Sequence, residues 1–163
     1  MKIAVLSDIH DNTWQLEKIL DGIAEAQPDV ILCCGDLCAP FTLKQIADSF
    51  DGPVHLIFGT NDGDKWLLTT VAAKAGNVTI HDTFFESELD GREVAMVHFP
   101  DLARALAASD RYDVVFYGHN HTQGAERVGR TWLVNPGEVM GRLGSSTYAI
   151  YDTETDEVNL FEV

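Results

Sequence analysis

Asp8 and His10 stand two positions apart at the end of an apolar run containing Ile3, Val5 and Leu6. Residues i and i+2 of a strand lie on one side. The pair therefore offers a carboxylate oxygen and an imidazole nitrogen together, which is the beginning of a metal site. Asp-x-His alone is too short to carry that reading, but the arrangement recurs along the chain. Asp36, preceded by Gly35, follows the apolar run Val30 to Cys34, and Gly59-Thr60-Asn61-Asp62 follows Val54 to Phe58. His98 closes a run that starts at Val94, while His119 and His121 follow Val114 to Tyr117. A lone Asp after a strand is usually a cap or turn residue, and a lone His is usually a hydrogen-bonded surface group. Four of the six histidines at strand ends beside two aspartates are not explained that way.

Two aspartates, four imidazoles and an amide oxygen exceed the needs of one tetrahedral zinc. They suit two divalent transition-metal ions, Mn, Ni, Fe or Zn, with an aspartate bridging them. Two ions about 3.5–4 Å apart can share a hydroxide near neutral pH and neutralise a phosphoryl group during in-line attack. Such chemistry needs no serine or cysteine nucleophile. Cys33, Cys34 and Cys38 match no structural zinc spacing well. They read as small hydrophobes at the end of a buried strand, in a reducing compartment.

The elements that must position these groups can be read from periodicity. Thr13 is a cap for a helix whose Leu16, Ile19, Leu20 and Ile23 follow the i, i+3, i+4, i+7 spacing, ended by Gln27-Pro28-Asp29. Strand, helix and strand over residues 3–34 predict a parallel βαβ unit. A helix over Leu43 to Ser49, the strand Val54 to Phe58 and a helix over Asp64 to Lys74 extend it. Three parallel strands thus end on one edge, where open α/β sheets place their ligands. Beyond Val78 to Ile80 the pattern turns to hairpins: Phe84 to Leu89 and Val94 to His98 flank Asp90-Gly91, a strong turn signal. Apart from a short helix over Leu102 to Ala108, strands are expected at 114–117, 124–128, 131–134, 148–151 and 158–163. A parallel first half and an antiparallel second half predict two sheets packed face to face with helices outside.

The 163 residues, 45% of them hydrophobic, suit one globular domain spanning 1–163. No apolar run approaches the roughly 18 residues of a membrane span. The chain opens directly into a strand without a basic leader, so a cytoplasmic location is expected. The net charge of −15, from 26 acidic against 11 basic residues, argues against binding a nucleic-acid duplex. A small phosphate ester remains compatible, because bound dications invert the field within a cleft. The acidity also fits a salt-adapted cytoplasm.

The series Asp8-x-His10, Gly35-Asp36, Gly59-Thr60-Asn61-Asp62, His98 and Gly118-His119-x-His121 resembles the calcineurin-like metallophosphoesterase superfamily. The small archaeal and bacterial phosphodiesterase branch, which shares Asn135-Pro136-Gly137, is most similar. The resemblance covers the whole chain and implies an α/β, four-layer αββα sandwich of two mixed sheets. It implies one metal held by Asp8, His10, Asp36 and His121, and a second by Asp36, an Asn of the third motif, His98 and His119. The family's nucleophile is a metal-bridging water or hydroxide. Three departures stand out. Thr60 occupies the place of the family's ligand Asn, so Thr60 and Asn61 are both candidates. Asn61 falls where many members carry a catalytic His, which favours leaving groups needing little protonation and hence a small phosphodiester substrate. Phe99-Pro100 replaces a common Gly-His after the ligand His98, which narrows the mouth of the site or alters its substrate contacts. Asn12 and Arg142 are candidate phosphate contacts, against a turn cap and a surface arginine, and Glu138 is a candidate cleft residue. Relatives are often dimers, so a homodimer is raised. The alternatives are a scaffold on the same fold, as in the retromer subunit that resembles the family, and a phosphomonoesterase or nucleotide phosphohydrolase.

Overall fold

The computed structural model describes residues 1–163. Strands β1 (Lys2–Leu6) and β2 (Val30–Cys33) are almost wholly buried and pair in parallel, Ile3 opposite Val30 and Leu6 opposite Cys33. Continuous apolar runs of this kind suit a sheet covered on both faces. Helix α1 (Thr13–Ala26) joins them and buries Leu16, Ile19, Leu20 and Ile23. Its cap is Asn12, whose side chain accepts from the Gln15 amide, and not Thr13, which is the first helical residue. Helix α2 (Pro40–Ser49) starts ahead of the expected Leu43, because proline fits the first helical turn without losing a hydrogen bond. It leads to β3 (Val54–Leu56). Asp64 then caps α3 (Lys65–Ala75), and β4 (Val78–Ile80) completes the parallel array.

Asp90 and Gly91, both at positive φ (51° and 76°), turn β5 (Phe84–Leu89) into β6 (Arg92–Val97). Helix α4 (Pro100–Ala107) and the strands β7 (Val114–Phe116), β8 (Gly124–Val128) and β9 (Thr131–Asn135) follow. The last strands are β10 (Thr147–Asp152) and β11 (Glu157–Glu162). One sheet has the order β11-β10-β1-β2-β3-β4 and the other β5-β6-β7-β9-β8.

The two sheets do not divide as a parallel first half and an antiparallel second half. Strands β10 and β11 return to the first sheet, with β10 antiparallel to β1, while β6, β7 and β9 run parallel. Both sheets are therefore mixed. Val5, Leu32, Met96, Phe116 and Tyr151 pack between them. The outer face of the first sheet buries Leu6, Ile31 and Leu56 against α1, α2 and α3, and that of the second buries Val97 and Val115 against Ala103 and Ala107 of α4. The result is the four-layer αββα order. No helix is long and apolar enough to cross a membrane.

Candidate metal centre

The parallel strands β1, β2 and β3 all give out on one edge, and the chain turns sharply at each end. Asp8, His10, Asp36, His119 and His121 all have positive φ, between 46° and 75°. Left-handed backbone at non-glycine residues is costly and clusters at functional sites. The surrounding bonds hold it in place. The Asp62 carboxylate accepts from the amides of Asp36, Leu37 and Cys38 at 3.0 Å and of Gly59 at 2.6 Å, tying the β2 and β3 loops together. The His10 amide donates to the Asp36 carbonyl, and the Met140 amide to that of Asp8, both at 3.0 Å. Two glycines make room for the acids. A Cβ at Gly59 would lie 2.2 Å from Asp36 Oδ1, and one at Gly118 would lie 2.7 Å from Asp8 Oδ2.

Asp36 Oδ2 lies 3.6 Å from His10 Nε2 on one side and 3.5 Å from His98 Nε2 on the other. Asp8 Oδ1 lies 3.5 Å from His121 Nε2 and 3.8 Å from His10 Nε2. Ligand atoms of Asp8, His10 and His121 fall within 4.8 Å of one another, as do those of Asp8, Asp36 and His98. Asp8 thus reaches toward both groups. Asp8 Oδ1, His10 Nε2 and His98 Nε2 are buried without a hydrogen-bond partner. Orphaned polar atoms are rare in a protein interior. These three atoms, spread over the two groups that Asp8 joins, give an oxygen and nitrogen donor set that fits divalent transition metals.

The imidazoles are oriented from behind. His98 Nδ1 lies 2.8 Å from the Cys34 carbonyl, which fixes a proton there and leaves Nε2 to face Asp36. His121 Nδ1 lies 2.6 Å from Glu138 Oε2, a carboxylate and histidine pairing typical of metal ligands. Glu138 is 1% exposed, and its other oxygen accepts from the amides of Leu143 and Gly144. It therefore stands behind His121 and does not line the cleft. Asn135 pins the 118–121 loop, donating to the Gly118 carbonyl and to Asn120 Oδ1. The sequence reading assigned no role to Asp62 or Asn135. The available signal was an acid and an amide inside otherwise apolar or glycine-rich surroundings.

Charge follows the same geometry. Burial pushes the Asp36 carboxyl up, but the His98 imidazole 3.5 Å away and hydrogen bonds from Asn61 outweigh it and hold it well below the usual carboxylate range. The Asp8 carboxylate 3.8 Å away raises the His10 pKa. Burial lowers that of His98, yet Asp36 and the Cys34 carbonyl raise it further. The thiols are no alternative nucleophiles. Burial pushes Cys33 and Cys38 up to about 12 and Cys34 well above the ordinary range. Cys33 and Cys34 point into opposite cores, which also separates them as zinc ligands.

The remaining expected residues fall as follows. Thr60 Oγ1 lies 3.1 Å from Asp36 Oδ2, and the Asn61 side-chain nitrogen donates to the same oxygen at 2.8 Å, so both reach Asp36. The exposed His119 sets its ring 5.1 Å from that of His98, on the same side. Asn12 uses both ends of its amide internally, capping α1 and donating to the Met140 carbonyl at 2.8 Å. Arg142 is exposed in the loop after Met140. Phe99 packs edge-on against the rings of both His98 and His119.

The model of the calcineurin-like phosphoesterase superfamily domain matches residues 1–156. The chain belongs to the calcineurin-like phosphoesterase superfamily. Phosphodiesterase MJ0936 of Methanocaldococcus jannaschii is 30% identical over 160 residues, covering 96% of each protein. The solved structure of an archaeal phosphodiesterase superposes over the full length of both chains with a TM-score of 0.92 at 29% identity. Vps29 of Entamoeba histolytica, solved with Zn²⁺, shares the fold at a TM-score of 0.71 and 17% identity, over 99% of this chain and 91% of that one. Calcineurin-like phosphoesterases use divalent metal ions, and in this member the side chains meeting at the strand ends are the family's donor types.

Proposed function

We propose that this phosphoesterase is a phosphodiesterase with two divalent transition-metal ions, hydrolysing small phosphodiesters with water as nucleophile. The observation that carries the reading is Asp36 Oδ2, set between the Nε2 atoms of His10 and His98 at 3.6 and 3.5 Å. One oxygen facing two imidazole groups suits a bridging carboxylate. Asp8, His10, Asp36 and His121 would hold one ion. Asp36, His98 and His119, with Thr60 or Asn61, would hold the other. Bound divalent ions supply Lewis acidity toward a phosphoryl oxygen and lower the pKa of water.

The chain's own residues determine the rest. Glu138 and the Cys34 carbonyl face Nδ1 of His121 and His98, so that in each neutral ring Nε2 is the nitrogen turned toward the acids. Asn61, which stands where a general acid would, holds no titratable proton. The leaving group must then depart as its own anion, which favours activated diesters, since proton donation is worth roughly a hundredfold to ten-thousandfold. The likeness to phosphodiesterase MJ0936 supports the same substrate class. The net charge of −15 weighs against a nucleic-acid duplex as substrate.

The test is a panel of phosphomonoesters and phosphodiesters on the metal-free protein, on protein loaded with Mn²⁺ or Ni²⁺, and with a chelator. Metal-dependent turnover of bis(p-nitrophenyl) phosphate exceeding that of the monoester is expected, with close to two ions bound per chain. A fully loaded protein that turns over no ester would leave the scaffold reading in its place.

A further inference from the structure

A cavity of about 450 Å³ opens directly beside the metal centre, walled by Phe58, Phe84, Phe99, Leu102 and Leu106. Its size falls within the range of about 300–1,000 Å³ common to small-ligand sites. Its polar lining is confined to Thr83 and His98, and His98 is the same residue whose Nε2 faces Asp36. The centre and the cavity therefore share a wall. Phe99 borders both, with its ring 5.4 Å from that of His98 and 5.0 Å from that of His119. Three large apolar side chains that a free surface would disfavour meet here: Phe84, Phe99 and Leu102 are 40%, 46% and 48% exposed. Lys65 Nζ sits 4.6 Å above the Phe58 ring, placing a cation at the same wall in a strongly acidic chain.

We propose that this cavity is the subsite for an aromatic ester group of the phosphodiester, so that the protein selects aryl-substituted over small alkyl diesters. The inference rests on the diesterase reading and names its substrate class. A phosphoryl group at Asp36 and His98 would carry one ester substituent past His98, where aromatic walls offer edge and face contacts. Phe99-Pro100, the departure from the family pattern, thereby becomes part of the specificity of this chain. An apolar group the size of a methylene is discriminated 10–200-fold in such pockets, so a whole ring has ample contact to be selected.

Two diesters with a common p-nitrophenolate leaving group test this, one carrying a phenyl and the other a methyl spectator group. The quantity read is the phenyl-to-methyl ratio of kcat/KM in the Mn²⁺-loaded wild type, Leu102→Asn and Phe84→Asn proteins. Comparing variants cancels the intrinsic reactivity of the esters, and both positions are exposed enough to be replaced without disturbing the core. The ratio is expected to fall about tenfold in each variant. An unchanged ratio, with both esters still turned over, overturns the subsite and leaves the diesterase reading intact. Calorimetric binding of diphenyl phosphate and dimethyl phosphate decides independently of turnover. Tighter binding of the diphenyl ester, weakened by Leu102→Asn, is the expected result even if neither chromogenic ester reacts, and equal binding overturns the subsite. A Leu102→Asn variant that changes from dimer to monomer in sedimentation while keeping its aryl preference would assign the cavity to a second copy of the chain instead.

Discussion

On the β1 side of Asp36, Asp8 is fully buried, and His121 is backed by Glu138, itself 1% exposed. On the β3 side His98 is just as enclosed, at 2% exposure, but Thr60, Asn61 and His119 are all exposed. The two sides also differ in their hydrogen bonding. On the β1 side Asp8 Oδ1 and His10 Nε2 are left unpartnered; on the β3 side only His98 Nε2 is, and Thr60 and Asn61 spend their polar groups on Asp36. In the two-ion reading proposed above, the β1 side would be preorganised by burial and backing groups, while Thr60 and Asn61 on the β3 side would have to exchange existing hydrogen bonds for a metal. Preorganisation of that kind is worth roughly 10–100-fold in metal affinity.

Removing the shared group should erase the contrast altogether. Asp36→Ala is expected to lower hydrolysis of an activated diester by about a thousandfold or more, beyond the 10–100-fold typical of losing a backing residue, and a loss of less than tenfold would break the bridging assignment. Unfastening the two loops comes next. Asp62→Ala leaves four amides without their acceptor, and at about 1–3 kcal/mol per unsatisfied buried group a destabilisation of about 3 kcal/mol or more is expected in urea unfolding. Glu138→Gln should weaken metal at the β1 side by about 10–100-fold in chelator competition while the β3 side is spared. Equal weakening of both sites would mean that they are not separately built.

Thr60→Asn sharpens the comparison from the other side. Placing an amide at the exposed position is expected to tighten the second ion about tenfold, a change of about 1.4 kcal/mol, and no change would assign that ligand position to Asn61. The smallest effect concerns acid. His55 on β3 and His81 meet with Nδ1 and Nε2 2.9 Å apart, and burial lowers both pKa values, with His81 adding repulsion at His55. Groups kept neutral in the folded state contribute stability that is present above the unfolded value near 6.5 and is lost as pH falls below it. Unfolding free energies at pH 7.5 and 5.5 should therefore show a smaller acid loss in His81→Gln than in wild type. The β3 end of the sheet is the part expected to loosen first.

The order of elements and the polar residues at each strand end were legible in the sequence because both are local. Apolar runs and the Leu16, Ile19, Leu20, Ile23 spacing mark β1, α1 and β2, and a polar residue following a run can only sit at its end. The likeness of those strand-end motifs to one family also supplied the four-layer order and a candidate ligand set. Pairing partners are not local. Nothing in the alternation of β10 says that it returns to lie antiparallel to β1 while β6, β7 and β9 run parallel; that follows from which faces can be buried together, and only the assembled core decides it. The positive φ of Asp8, His10, Asp36, His119 and His121 is likewise invisible in residue types, and long-range bonds hold the loops concerned, such as Asp36 to Asp62, Asp8 to Gly35 and Met140, and the His119 amide to Asp8. Glu138 meets His121 across 17 residues of chain, and Phe99 becomes a cavity wall only beside Phe58, Phe84 and Leu102. The sequence by itself determined which chemical groups reach the edge. Tertiary structure decided how firmly each is held there, because that depends on neighbours brought together only by the packing of the two sheets.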